Sequence, residues 1–172
     1  LALEFKGAPY ELKMVSFSAG DTRTDEFLKM NPRHQVPVLV DGDFVLYESA
    51  AIVEYLEERF PEGPKLFPGD ARQRATIRRL VREVDGPMVA ANKKMGRQLF
   101  FKPAAEWDLA EVAAAKAEHE SNRALCEKYF AGDFLAGPIS AADFSLYPFV
   151  ATMARFETKK PDLGLIAALT PR

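Results

Sequence analysis

The sequence predicts an α/β unit followed by an all-α unit, and three observations predict it. Strand-like alternation and a hairpin signal are confined to the first sixty residues. Residues 61–70 (PEGPKLFPGD) then hold three prolines and two glycines, the composition of a linker. Beyond the linker, apolar residues recur only at helical spacing. Strands and helices first, helices alone afterwards, is the order of two separate layers of structure. The expected division is 1–60, a linker at 61–70, and 71–172.

The elements follow in order. In LALEFKG, Leu1, Leu3 and Phe5 mix with Glu4 and Lys6, and Gly7 closes the run as a helix C-cap. So short a helix does not nucleate alone, so the chain is expected to begin inside a longer helix. Tyr10 to Met14 alternates apolar and polar and reads as a strand. Residues 21–31 read as a helix ending at Asn31-Pro32. Val36 to Val40 is an apolar β-branched run, Asp41-Gly42 a turn, and Phe44 to Leu46 the returning strand of a hairpin. Ser49 starts a helix with Ile52, Tyr55, Leu56 and Phe60 on one face.

After the linker, Ile77, Leu80, Val81, Val84 and Met88 form one helical stripe. An Ala- and Glu-rich helix is expected over roughly 104–130. Ser140 and Asp143 have the spacing of a capping box, with Ile139 and Phe144 as its staple. Thr170-Pro171 reads as an N-cap and first-turn proline. The chain stops where that helix should begin, so both ends are expected to be incomplete.

Composition excludes several classes. The formal net charge is −2 over 172 residues, and 48 % of residues are apolar, enough for a packed core. Residues 1–60 carry 6 basic and 11 acidic side chains, and residues 61–172 carry 17 and 14. That is not the basic excess of a nucleic-acid binder. No run reaches the ~20 apolar residues that span a bilayer, and no signal-peptide pattern opens the chain. Cys126 is the single cysteine, which rules out an internal disulfide, and His34 and His119 are the only histidines. A zinc site is not expected. Cys126, mid-helix, reads as buried and inert, and Trp107 and His119 as structural or exposed.

Three patterns stand in order around the linker: NPRHQVPVL (Asn31 to Leu39), LYESAAIVEYL (Leu46 to Leu56) and GPISAADF (Gly137 to Phe144). With these the chain resembles the glutathione transferase family over essentially its whole length. The resemblance implies a thioredoxin-like first domain, a helical second domain and glutathione as co-substrate. Glutathione is an extended tripeptide with two carboxylates, an amine and a thiol. It needs an anion site, a counter-charge and an edge of backbone.

Ser49 offers the anion site, because free N–H groups and the dipole at a helix start favour a carboxylate. The resemblance gives its hydroxyl and amide to the γ-glutamyl carboxylate, and Glu48 to the γ-glutamyl amine. Taken alone, Ser49 could equally be a plain N-cap. The resemblance makes the Val36-Pro37 bond cis and turns the Val36 backbone toward the cysteinyl part of the tripeptide, as a strand is added to an edge. An ordinary edge-strand proline is the alternative. His34 either meets the glycyl carboxylate or is a solvent-facing loop residue, and Gln35 is a second candidate for that end. Met88, Phe100 and Phe101, with Met95 and Met153 beside them, either line a pocket for an electrophilic co-substrate or pack the core.

A transferase holds the thiolate with a Tyr or Ser hydroxyl, and a thiol-reductase relative uses a Cys. The resemblance puts that position upstream of Leu1, so no catalytic residue is expected in this chain, and Tyr10 and Tyr47 fall outside the matching site. Without the strand that would carry it, 10–17 lacks a neighbour, and residues 1–172 are expected to be inactive alone. The leading expectation is conjugation of the glutathione thiol to small electrophiles in the cytoplasm. The alternatives are a non-catalytic association module and a glutathione-dependent thiol reductase. A homodimer is implied, with the acidic residues at 54–58 facing the basic stretch Arg72 to Arg82. Asp85 could reach the γ-glutamyl amine across that dimer.

Overall fold

A computed structural model describes residues 1–164; the helix start expected at Thr170-Pro171 lies outside them. The chain divides into two compact units between Leu66 and Phe67, inside the proline-rich linker.

In the first unit, α1 (Ala2–Lys6) ends on Gly7 at φ 65°, whose amide bonds the Glu4 carbonyl. A left-handed residue there is most easily supplied by glycine. The Lys6 side chain is fully buried, with Nζ 2.7 Å from Glu57 Oε2 and 3.0 Å from the Pro64 carbonyl. The same Glu57 oxygen accepts from the Leu66 amide at 2.9 Å. One buried ion pair therefore ties the first helix, the third helix and the linker together.

Two expectations for this unit are corrected. Residues 10–14 form no strand: Tyr10, Leu12 and Met14 are 48, 70 and 81 % exposed. Alternation builds a strand only where another strand supplies the ladder, and among the described residues the hairpin strands pair only with each other. The helix expected over 21–31 is a short 3₁₀ turn at Asp21–Arg23 and then α2 (Asp25–Met30). Asp21 is occupied elsewhere, its carboxylate accepting from the Ser16 amide at 2.7 Å, and Thr24 caps α2 by accepting from the Phe27 amide at 3.2 Å.

The hairpin is β1 (Val38–Asp41) and β2 (Phe44–Tyr47), in register from Val38 opposite Tyr47 to Asp41 opposite Phe44. The first strand starts at Val38 and not Val36, because Pro37 has no N–H to give a ladder. Next, α3 (Ser49–Arg59) buries Ile52 and Leu56. Its later turns run back to the hairpin's tip. There the Tyr55 hydroxyl donates to the Asp41 carboxylate at 2.7 Å and Arg59 Nε at 3.0 Å. These two bonds, Tyr55 first, hold the Asp41 carboxyl below its usual range.

In the second unit, α4 (Ala71–Glu83) is capped by Asp70 and passes through a wide π turn at Val84–Met88, around Gly86-Pro87, into α5 (Val89–Leu99). The stripe Ile77, Leu80, Val81, Val84, Met88 is buried along its whole length. The long helix is α6 (Leu109–Glu127), shorter than 104–130, because the Asp108 carboxylate fixes its start by accepting from the Ala110 and Glu111 amides. A two-residue hairpin follows, β3 (Phe130–Ala131) with β4 (Phe134–Leu135). Strands this short leave no periodic trace, so this unit is not purely helical. Then α7 (Ala141–Lys159) opens on a complete capping box from Ser140 and Asp143. Val84, Met88, Met95, Leu99, Val112, Phe149, Met153 and Phe156 form the core of this unit. No described helix is long and apolar enough to cross a membrane.

Candidate functional site

The hairpin register decides what meets what. Val38 stands opposite Tyr47, so the residues before the first strand and after the second emerge side by side at the open end. Those residues are His34, Gln35, Val36 and Pro37 on one side and Glu48 and Ser49 on the other, all exposed. Two motifs twelve residues apart are thus brought to one edge, while Tyr55, Arg59 and Asp41 brace the opposite end.

The Val36-Pro37 peptide bond is cis. Among the described residues, no hydrogen bond reaches the Val36 amide or carbonyl. Across from it, Glu48 sits at the N-cap of α3 with φ 74°, a left-handed conformation that non-glycine residues seldom adopt and that tends to mark functional sites. Ser49 is the first residue inside the helix, and no side chain caps α3. The plain N-cap reading of Ser49 is therefore corrected. The first backbone bond into the helix runs from Ile52 to the Glu48 carbonyl, so the amides of Ser49, Ala50 and Ala51 have no partner among the described residues. By contrast α2, α4, α6 and α7 each have a side-chain cap, from Thr24, Asp70, Asp108 and Ser140. The edge thus offers a backbone donor and acceptor, three amides at the positive end of a helix, a free hydroxyl and a carboxylate.

His34 lies on the loop with φ 46°, its amide bonded to the Asn31 carbonyl at 2.9 Å. Asn31 was not singled out by sequence reasoning, beyond ending a helix. It is buried, and its side chain holds the Arg33 amide and the Gln35 carbonyl. The signal available was an Asn followed by Pro at a helix end, which serves many turns equally well.

Of the pocket candidates, Met88 is corrected. It is 1 % exposed in the second unit's core, its sulfur 3.9 Å from Cys126 Sγ, so packing accounts for it. Met95 and Met153 are core residues too. Phe100 ends α5, stacked 5.3 Å from the Phe156 ring and under the Arg155 guanidinium, and Phe101 beside it is open to solvent. Cys126 is buried, and burial, then Glu83, pushes its thiol up to about 11, so it is a poor nucleophile. Tyr10 donates its hydroxyl to Glu4, which raises its pKa and leaves that donor already engaged. Tyr47 belongs to the β2 ladder. Among the described residues no three His, Cys, Asp or Glu side chains gather as a metal-ligand set.

Comparison with known proteins falls on the same region. Residues 1–59 match the model of the glutathione S-transferase N-terminal domain. Glutathione S-transferase 1 of Dianthus caryophyllus is 52 % identical over 75 residues, 44 % of this chain and about a third (34 %) of that relative's length. Glutathione S-transferase Z2 of Arabidopsis thaliana is 35 % identical over 173 residues, covering 91 % of this chain and 77 % of the relative. Among solved structures, a holo maleyl pyruvate isomerase, described as a bacterial zeta-class glutathione S-transferase, superimposes with a TM-score of 0.76. It is 30 % identical over 98 % of this chain and 82 % of its own. A theta-class enzyme from Xanthomonas axonopodis pv. citri with glutathione bound gives 0.77, at 28 % identity over 91 % of this chain and 74 % of its own.

Proposed function

The chain belongs to the glutathione S-transferase family, and on that premise we propose that it binds glutathione at the open end of the β1–β2 hairpin and that the whole protein conjugates the thiol to a small electrophile. The observation that carries this is the pairing of an uncapped α3 start, with Glu48 and Ser49, against the unpartnered backbone of Val36. The γ-glutamyl carboxylate would take the Ser49 hydroxyl and the helix amides, and Glu48 the γ-glutamyl amine. The cysteinyl backbone would pair with Val36 as an added strand, and His34 and Gln35 lie at the glycyl end. The glutathione-bound theta-class relative supports this choice of ligand.

Conjugation forms a carbon–sulfur bond from the thiolate while a bond at the electrophilic carbon breaks. That bond is either to a leaving group, which departs with the electron pair, or the π bond of an acceptor alkene, whose carbanion is then protonated. The thiol proton goes to solvent. A free thiol with pKa ~8.5 is mostly protonated at neutral pH, so a donor must hold the thiolate. We give that place beside the thiol to none of Tyr10, Tyr47 and Cys126. A hydroxyl there supports conjugation; a thiol would favour glutathione-dependent reduction instead. Phe100 and Phe101 are our candidates to face the electrophile. Also proposed are a homodimer in which the acidic residues at 54–58 meet the arginines of α4, and a cytoplasmic location, in keeping with the free Cys126.

The test is titration of the full-length protein with glutathione, followed by calorimetry. Ser49→Ala removes a hydrogen bond to a charged group and should weaken binding about tenfold or more. Wild-type affinity in Ser49→Ala, or no binding by the wild type, would defeat the proposal.

A further inference from the structure

Asn31 is 2 % exposed, directly after α2. All four of its polar groups are engaged. Its amide donates to the Phe27 carbonyl and its own carbonyl accepts from the His34 amide, both at 2.9 Å. Its Oδ1 accepts from the Arg33 amide at 3.0 Å, and its Nδ2 donates to the Gln35 carbonyl at 2.8 Å. Residues 32–37 are all exposed, so side-chain packing does not hold this loop. A single buried side chain shapes it from inside.

The Gln35 carbonyl and the Val36 N–H belong to one planar peptide group. Fixing the direction of the carbonyl fixes the direction of the N–H. A hydrogen bond accepted by the carbonyl also polarises the group and strengthens its N–H as a donor. We propose that Asn31 is a positioning residue: through Nδ2 it grips the Gln35–Val36 peptide and aims the Val36 N–H at the bound tripeptide. This rests on the glutathione reading above.

Asn31→Asp separates the two side-chain bonds in the full-length protein. It keeps an oxygen for the Arg33 amide and replaces the donor to Gln35 with an oxygen that repels that carbonyl. The Arg33 amide should keep its protection from hydrogen exchange while the Val36 amide resonance moves. Glutathione affinity should fall about tenfold, the worth of one hydrogen bond from a Val36 N–H that no longer points at the ligand. Asn31→Ala should lose Arg33 protection as well. The wild type gives a mutation-free check: exchange of the Asn31 Nδ2 protons should slow when glutathione is added. An unmoved Val36 resonance in Asn31→Asp, wild-type affinity in that variant, or Nδ2 exchange indifferent to glutathione would overturn the inference. Failure of the wild type to bind glutathione would instead defeat the functional reading, and the Val36 resonance would still judge whether Asn31 sets the peptide.

Discussion

From Phe67 onward, buried side chains close on one another: eleven residues from Val84 to Leu163 form one apolar cluster, and Ser140, Asp143, Asp108 and Gln98 satisfy helix ends and loops from within. From Leu1 to Leu66 the buried apolar set is small, Ala8, Phe27, Ile52, Leu56 and Leu66. Large apolar side chains there stand exposed, among them Leu12, Met14, Phe17, Val40 and Phe44. Among the described residues, backbone groups at Val36 and at the start of α3 have no partner. The contrast teaches where recognition can reside. A unit whose apolar core is closed and whose long helices start on side-chain caps serves as scaffold, and a unit that leaves backbone donors and an acceptor at one exposed edge can accept a peptide-like ligand.

The contrast can be broken or sharpened by substitution, from the largest expected effect downward. Phe156→Ala opens a cavity in the second unit's core and should cost about 3–5 kcal/mol by urea unfolding, with glutathione affinity of the folded protein unchanged. In the first unit, Lys6→Ala leaves Glu57 without its buried partner and should cost about 3 kcal/mol. A cost near zero would mean that the Lys6–Glu57 pair adds nothing to stability.

The third effect depends on pH. His119 is 1 % exposed against Phe149 and Phe156, with neither ring nitrogen bonded, and burial lowers its pKa from 6.5 to about 4. The unfolded chain takes up the proton first. Stability is therefore full above pH 6.5 and falls as pH drops toward 4, by up to about 3 kcal/mol. Unfolding midpoints measured across that range should flatten in His119→Phe; an unchanged slope would assign the loss to other groups. Smallest, Ser140→Ala should cost about 1 kcal/mol through its cap.

Much of this was legible in the residues themselves. Asp41-Gly42 marked the hairpin, Ser140 and Asp143 marked their helix, and Gly7 marked the end of α1, because each is a local rule between near neighbours. Less legible were contacts that leave no periodic pattern. Lys6 and Glu57 are fifty-one residues apart. Asn31 works by one side chain on an exposed loop. His119, flanked by glutamates in AEHE, reads as either structural or exposed, and only the structure decides that it is buried. The strand expected at Tyr10 to Met14 shows the converse: the pattern is present, and among the described residues its ladder is not.

The central claim is that glutathione lies along the open end of the hairpin. Amide resonances of the full-length protein, followed during addition of glutathione, test it directly. The account predicts the largest shifts at Val36, Ser49 and Ala50, with Asp41 to Phe44 and the core of the second unit nearly still. Largest shifts at the hairpin tip or in that core, or none at saturating glutathione, would contradict it.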